Sequence, residues 1–376
     1  MNVEENVWVQ FAERYLNEDE FDALKAPLRV RWTYENGCVL KALLDVWKLS
    51  HNDEYLKYVC NCMETIVEHS GRIVSYDPDA YNLDNINEGK VLLELYSLYG
   101  VNEPRYEAAL HHLIAQLERQ PKTSSGGFWH KQIYPNQMWL DGIYMAGPFM
   151  ARYAHDFQQP DWFDTVVEQI RLIYEQTRDN ATGLLYHAWD ESHKQRWANP
   201  VTGCSPHFWG RAMGWFSMAL VDVLEYLPSE HPGRMDIESM LENLVLSIID
   251  VQDKESGLWH QVLNLPHSVG NYTESSCTSM FIYTLAKGVR IGVLDHSVLQ
   301  IACRAYEGLL KRKIRRDTEG GTPHLTSCNA VAGLGGNPYR DGSYDYYVSE
   351  PVVNDDPKGV SAFIMASVEL NRVSSL

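Results

Sequence analysis

Residues 209–226 read Trp-Gly-Arg-Ala-Met-Gly-Trp-Phe-Ser-Met-Ala-Leu-Val-Asp-Val-Leu-Glu-Tyr, and the ten positions after Arg211 carry no charge. A helix over this stretch is apolar or small around nearly all of its circumference, and such a helix is expected to be buried on every side. Residues 161–178 have the opposite character. There Trp162, Phe163, Val166, Val167, Ile170, Ile173 and Tyr174 recur at three-and-four spacing, with Asp, Glu, Gln and Arg opposite, the mark of a helix with one face on a core and one in water.

Both kinds recur along the chain. Segments 5–16, 53–69, 103–119, 235–252 and 296–313 are amphipathic like 161–178, the first more weakly. Segments 34–50, 84–99, 140–156, 274–292 and 358–373 are apolar like 209–226. The kinds alternate, outer then inner, six times. Charged residues near the inner-helix starts fall at 35, 84, 141, 211, 274 and 358, separated by 49, 57, 70, 63 and 84. Such irregular periods exclude a tight solenoid repeat but suit helix hairpins with variable loops. The all-α reading is therefore an (α/α)6 barrel, six inner helices ringed by six outer ones, in one domain over 1–376. Length alone would suggest two or three domains, and an open superhelix of helix pairs is the competing architecture.

Hydrophobic residues make up 45% of the 376, ample for a large core. Aromatics reach 11%, with 11 Trp and 22 Tyr; they fit a large core, and sugar-binding clefts also use flat amphipathic rings. Lys and Arg number 32 against 50 Asp and Glu, a formal charge of −18. That field disfavours phosphate backbones and anionic membrane surfaces, so neither nucleic acid nor membrane is an expected partner. Cysteines at 38, 60, 62, 204, 277, 303 and 328 are odd in number and form no Cys-x-x-Cys pair, as expected of reduced thiols rather than a disulfide framework. No basic-then-apolar leader follows Met1 and no uncharged run approaches membrane-spanning length, which makes the cytoplasm the default location.

A smaller repeat locates the working end. Gly127-Phe-Trp-His130, Gly183-Leu-Leu-Tyr-His187 and Gly257-Leu-Trp-His260 each fall after an outer helix and before the next inner one. Short extended segments there would set three histidines around the mouth where inner helices begin, and helix N-termini attract anions. Asp141, beside Trp139 and Tyr144, reads equally as a helix N-cap or as a catalytic carboxylate. Asp84 holds the matching place one repeat earlier; it too is an N-cap, or a second carboxylate able to tune Asp141 or hold a sugar hydroxyl. Arg211 is a structural salt bridge or a bidentate clamp on a substrate carboxylate, with Trp209 and Trp215 flanking it as core packing. His130, His187 and His260, spaced 57 and 73 apart, match no compact ligand motif and are hydrogen-bonding rim residues rather than zinc ligands. The glycine-rich stretch 320–347 lacks a phosphate-loop signature and reads as a substrate-covering loop.

At these residues the chain resembles the unsaturated rhamnogalacturonyl hydrolases, glycoside hydrolase family 105. The resemblance is carried by Gly126-Gly-Phe-Trp-His-Lys131, Gln137-Met-Trp-Leu-Asp-Gly142, Met145-Ala-Gly-Pro-Phe149, Tyr186-His-Ala-Trp-Asp-Glu191, Trp197-Ala-Asn, Gly203-Cys-Ser-Pro, Phe208-Trp-Gly-Arg-Ala212, Tyr344-Asp-Tyr-Tyr-Val-Ser349 and Asp356-Pro-Lys-Gly359, in order across the chain. It implies an (α/α)6 barrel with no metal or organic cofactor and Asp141 as general acid/base. Asp84, His130, Arg211 and Trp215 would line the site, joined by Tyr34, Tyr134, His187 and Trp209. The implied reaction is hydration of a 4,5-unsaturated uronide, releasing the shortened sugar. The implied partner is an unsaturated oligosaccharide, and the protein a monomer or weak homo-oligomer. His207 and the long stretch 318–343 depart from the pattern and leave the neighbouring sugar open. Rival readings are an unsaturated glucuronyl hydrolase, a non-catalytic oligosaccharide-binding protein, and a metal-dependent barrel with Cys and His ligands.

Overall fold

In the computed structural model, which describes residues 7–17, 31–100 and 102–374, the two kinds of helix alternate as their patterns require. The outer helices are α1 (Val7–Leu16), α3 (Asp53–Ile66), α5 (Pro104–Glu118), α7 (Asp161–Thr177), α9 (Arg234–Asp250) and α11 (Leu299–Arg312). The inner helices are α2 (Tyr34–Ser50), α4 (Gly89–Tyr99), α6 (Leu140–Asp156), α8 (Gly210–Leu224), α10 (Ser275–Arg290) and α13 (Pro357–Val373), with a short α12 (Tyr344–Ser349) before the last. Positions 5 and 6 of the first expected helix, like the Met1–Asn6 stretch read for a leader, lie outside the described residues.

Each inner helix packs on the next, and α13 packs back on α2, so the ring closes: the fold is an (α/α)6 barrel and the open superhelix is excluded. Each outer helix lies against the inner helix that precedes it in the chain, and α1 lies against α13. Burial follows the patterning. Every residue of α8 is buried, whereas α7 buries Phe163, Val166, Val167, Ile170, Ile173 and Tyr174 and turns its charged face outward. At ~25 cal/mol per Å² of apolar surface removed from water, this double wall is what holds the ring together. All seven cysteines are free thiols.

The rim segments form where expected, with left-handed glycines at Gly183 (φ +72°) and Gly257 (φ +75°) turning the chain back toward the next inner helix, a conformation that L side chains resist. Strand β1 (Gln137–Trp139) pairs antiparallel with β2 (Ala188–Asp190), joining two consecutive rim segments across the mouth.

Two expectations need correction. Helix α4 starts at Gly89 rather than 84; Leu83–Ile86 is a separate 3-10 turn. Asn82 accepts from the Asp84 N–H at 3.0 Å, a local side-chain bond that competes with continuing helix. The stretch 320–347 is not a plain loop: it holds β4 (Pro323–Leu325), which pairs with β3 (Ile314–Arg316), then β5 (Cys328–Asn329) and the start of α12. Its later part docks on the rim, with Leu334 packed in a cluster with Trp139, Ala188 and Trp197.

Candidate active site

Asp141 is the second residue of α6, and Trp139 holds the N-cap position without a side-chain cap bond, so the N-cap reading of Asp141 falls. Its carboxylate is 14% exposed at the mouth. Oδ2 is buried with no hydrogen-bond partner, and His187 Nε2, in the same condition, lies 3.3 Å away, close but poorly aligned. His187 is fully buried. Its Nδ1 meets the Tyr347 hydroxyl at 2.8 Å, and its carbonyl accepts from Leu140 N–H at 3.1 Å, tying the histidine to the first turn of the helix that carries Asp141.

Asp84 sits inside the 3-10 turn, so it too is no N-cap of an inner helix. Lys131 Nζ approaches one of its oxygens to 2.6 Å and His130 Nε2 the other to 3.4 Å. Burial alone would push this carboxyl up, but Lys131 and then His130 outweigh it and hold it below the usual carboxylate range. Burial likewise acts to depress Lys131, and Asp84 overrides it and raises the ammonium. His130 goes the other way: burial brings it down to about 4 despite the pull of Asp84, so at neutral pH it is an uncharged imidazole.

An aromatic wall connects the histidines beside the two carboxylates. Trp139 stacks on His130 (4.7 Å, 9°) and Tyr134 (4.9 Å, 17°) and meets His187 edge-on at 5.3 Å. Arg340 donates to the Tyr134 hydroxyl at 2.9 Å, so the late part of 318–343 holds this wall in place. Trp209 is buried, donates through Nε1 to Gln261 Oε1 at 3.2 Å, and stacks with Tyr347 at 6.2 Å. Trp215 stacks on Tyr144 at 4.6 Å as part of the barrel floor.

Arg211 is 1% exposed. Nη2 donates to the Asn329 backbone oxygen (2.6 Å) and Oδ1 (3.1 Å), Nη1 donates to Ser276 Oγ (3.3 Å), and Asp356 is 3.9 Å away. The guanidinium is thus fixed mainly by neutral acceptors, with its counter-ion at the limit of contact. Tyr34 opens α2 at the mouth, between Asp84 and Arg211: burial first, then Glu35 and Asp84, raise its phenol while Arg211 opposes them.

His130 and His187 therefore come together with both carboxylates, but His260 does not. It lines a different pocket with Asp253, Tyr272 and Lys313. His207 lies on the mouth side, 6.1 Å from Tyr344 and 6.4 Å from Tyr347 ring to ring. Sequence reasoning missed Lys131, Trp139, Asn329 and Tyr347 as members of the constellation. Lys131 directly follows His130, a signal that was available; Asn329 is an uncharged residue in a glycine-rich stretch and gives none. Among the described residues no group of three or more His, Cys, Asp or Glu is placed to hold a metal ion, and no helix is long and apolar enough to cross a membrane.

Similarity to known proteins extends over the whole barrel. The model of Glycosyl Hydrolase Family 88 matches residues 7–374. A glycoside hydrolase from family 105 of C. acetobutylicum ATCC 824 is 41% identical, with a TM-score of 0.90 covering 96% of this chain and 99% of its own. Protein Atu3128 of Agrobacterium fabrum is 40% identical over 60% of this chain and 97% of its own length. The unsaturated rhamnogalacturonyl hydrolase YesR of Bacillus subtilis is 27% identical over 66% of this chain and 68% of its own length.

Proposed function

The chain belongs to the glycoside hydrolases of families 88 and 105, and from that premise we propose that it removes the 4,5-unsaturated uronic acid from the non-reducing end of lyase-generated oligosaccharides, with unsaturated rhamnogalacturonan disaccharide as substrate. The name of the B. subtilis relative supports that choice of substrate. The observation that carries the chemistry is the unequal surroundings of the two carboxylates, Asp84 paired with Lys131 and Asp141 beside His187 with Oδ2 unbonded. A glycosidase that attacks the glycosidic bond directly needs two carboxyl groups, one of them protonated. Here Asp84 is ion-paired with Lys131 at 2.6 Å and held ionised, a carboxylate committed to its ammonium partner rather than open for attack on carbon, so Asp141 is the one carboxyl left to exchange a proton.

One such group suffices if the reacting bond is the C4=C5 vinyl ether. Asp141 gives its proton to C4, and positive charge develops at C5 and the ring oxygen, where the Asp84 carboxylate stabilises it. Water adds at C5 and returns a proton to Asp141. The resulting C5 hemiketal opens, the acetal carbon collapses to an aldehyde, and the sugar leaves with its glycosidic oxygen. Arg211 clamps the uronate carboxylate, Trp209 and Trp215 support that end, and Tyr34, Tyr134, His130 and His187 line the pocket.

The test is loss of enol absorbance on a panel of unsaturated disaccharides, including a sulfur-linked analogue. Hydration leaves the glycosidic bond untouched in the first steps, so the sulfur-linked substrate should be consumed at a rate comparable to the oxygen-linked one. Asp141→Asn should lose ~10²–10⁴-fold on both, the usual worth of general acid–base assistance. Turnover of the oxygen-linked substrate with an inert sulfur analogue would mean direct attack on the glycosidic bond. Preference for glucuronyl disaccharides would move the substrate assignment to the unsaturated glucuronyl type.

A further inference from the structure

The hydration chemistry asks one residue to act as acid and then as base, and something must keep its two oxygens distinct throughout. Asp141 Oδ2 faces His187 Nε2 at 3.3 Å, so the tautomer of His187 decides what Oδ2 meets. A neutral imidazole carries one N–H and one lone pair, and the partner of the far nitrogen selects which is which. That partner is the hydroxyl of Tyr347, 2.8 Å from Nδ1.

We propose that Tyr347 is a positioning residue for the reaction: its hydroxyl donates to Nδ1 of His187, fixes the Nε2–H tautomer, and so reserves Oδ2 of Asp141 as a permanent hydrogen-bond acceptor while Oδ1 carries the proton exchanged with substrate. The inference rests on the hydration reading for the role of Asp141 but not for the tautomer itself.

Four observations favour it. Tyr347 is 0% exposed, and burial holds its phenol well above its ordinary range, so it stays a protonated donor. The donor is aimed by structure around it: its carbonyl accepts from Gln261 Nε2 at 3.1 Å, its N–H donates to the Ser343 carbonyl at 3.1 Å, and its ring stacks on Trp209. His187 is 0% exposed and anchored through its own carbonyl, so the ring cannot turn to water for a substitute partner. The Nε2–H tautomer also suits both states of Asp141, because Oδ2 accepts equally as part of a carboxylate or as the carbonyl oxygen of the acid. In the other tautomer two lone pairs would confront each other whenever Asp141 is ionised.

The opposing interpretation is that Tyr347 merely fills space, and the test separates the two. Tyr347→Phe keeps the ring and deletes the donor. The expected result is a fall in kcat of about tenfold with KM within about twofold, the scale of one hydrogen bond to an ionised group. With the tautomer released, no N–H is held toward Oδ2 of Asp141 to favour its charged form, so the alkaline limb of kcat/KM should move to higher pH. Other ionisable groups facing this cluster are His130 and Lys131 from the rim segment, His207 before α8, Tyr346 on the same short helix and Asp341 from the preceding loop; none of them is altered by the substitution. A folded variant whose kcat falls while the limb stays put would reduce Tyr347 to packing and overturn the proposal, as would unchanged kcat. Should the variant fail to fold, nitrogen-15 histidine NMR of the wild type decides the matter. A directly bonded proton on His187 Nε2 supports the assignment, and one on Nδ1 overturns it. That spectrum needs no substrate, so failure of the tautomer and failure of the hydration reading are seen separately.

Discussion

Asp84 and Asp141 both precede or open inner helices one repeat apart, one from a 3-10 turn and one from the first turn of α6, and the residues around them set them in opposite surroundings. Lys131 lowers the first, while the second faces His187 with an oxygen that has no hydrogen bond. Sequence placed both acids at the mouth through the inner-helix periodicity, but not the ammonium that separates them, since nothing in spacing tells which way Lys131 turns. Arg211 shows the same limit. An isolated charge on an apolar helix announces itself in the sequence, but its support by Asn329 and Ser276, from residues 118 and 65 positions away, does not. Because Asp356 stands off at 3.9 Å and the carboxylate of Glu274 is taken up by Ser276 and the Cys277 and Asn329 N–H groups, Arg211 keeps positive charge available to a substrate carboxylate. We therefore expect wild type to prefer the free uronate over its methyl ester by ~10–100-fold, the worth of hydrogen bonds to a charged group, and Arg211→Ala to lose most of that preference. Arg211→Lys should recover little, since lysine lacks the planar fork. The ratio of kcat/KM for acid and ester is the measurement, and it is independent of how much of each variant folds. Equal ratios in wild type and Arg211→Ala would return Arg211 to a purely structural role.

Elements were legible where pattern was dense and obscure where local polar bonds took over. The inner helices starting at 34, 140, 210, 275 and 357 begin within a residue or so of the apolar runs that predicted them, because burial on all sides leaves little freedom. The exception, α4, begins five residues late because Asn82 and its neighbours fold a 3-10 turn first, and Gly89 then brings the helix against Phe149, whose ring lies 2.7 Å from where a Cβ would stand. That displacement shapes the candidate site, since the 3-10 turn is what carries Asp84. The stretch 318–343 was obscure for another reason: its contacts, Arg340 to Tyr134 and Leu334 to Trp139 and Trp197, are made to distant segments. Helix α6 offers a test of how tightly an element sets the site. A Cβ at Gly142 would lie 2.9 Å from His130 Nδ1 and 3.1 Å from a Leu83 methyl. In Gly142→Ala the helix gains ~1 kcal/mol of propensity against ~1–3 kcal/mol of overpacking, so melting temperature should change by only a few degrees. Displacement of His130 from Trp139 should nevertheless lower kcat by about tenfold or more, because small misplacements at a reacting centre are expensive. Full activity in Gly142→Ala would show that His130 is not held in place by α6.

At the scale of the whole molecule the barrel has two unlike ends. The mouth gathers the N-termini of the inner helices, whose partial positive charge draws anions, together with Arg211 and Lys131. The opposite end gathers their C-termini, lined by Lys48, Arg152, Lys287, Arg290 and Arg372 among acidic partners; cations there offset the negative ends of the helices. Neither arrangement cancels the formal charge of −18, and the two fields act over different ranges. Helix termini and Arg211 act within a few ångströms, after the substrate has arrived. The net charge acts on approach, over a Debye length of ~30 Å at 10 mM salt but only ~8 Å at 150 mM. An anionic substrate should therefore be repelled at low salt and bound once inside. The expected outcome is that kcat/KM for the free uronate rises by about twofold or more between 10 and 150 mM sodium chloride, as screening removes the repulsion. The methyl ester, being uncharged, should change little over the same range, which controls for salt effects on the fold. A fall in kcat/KM for the acid with added salt would mean that the local field of the mouth reaches further than the net charge and steers the substrate in from solution.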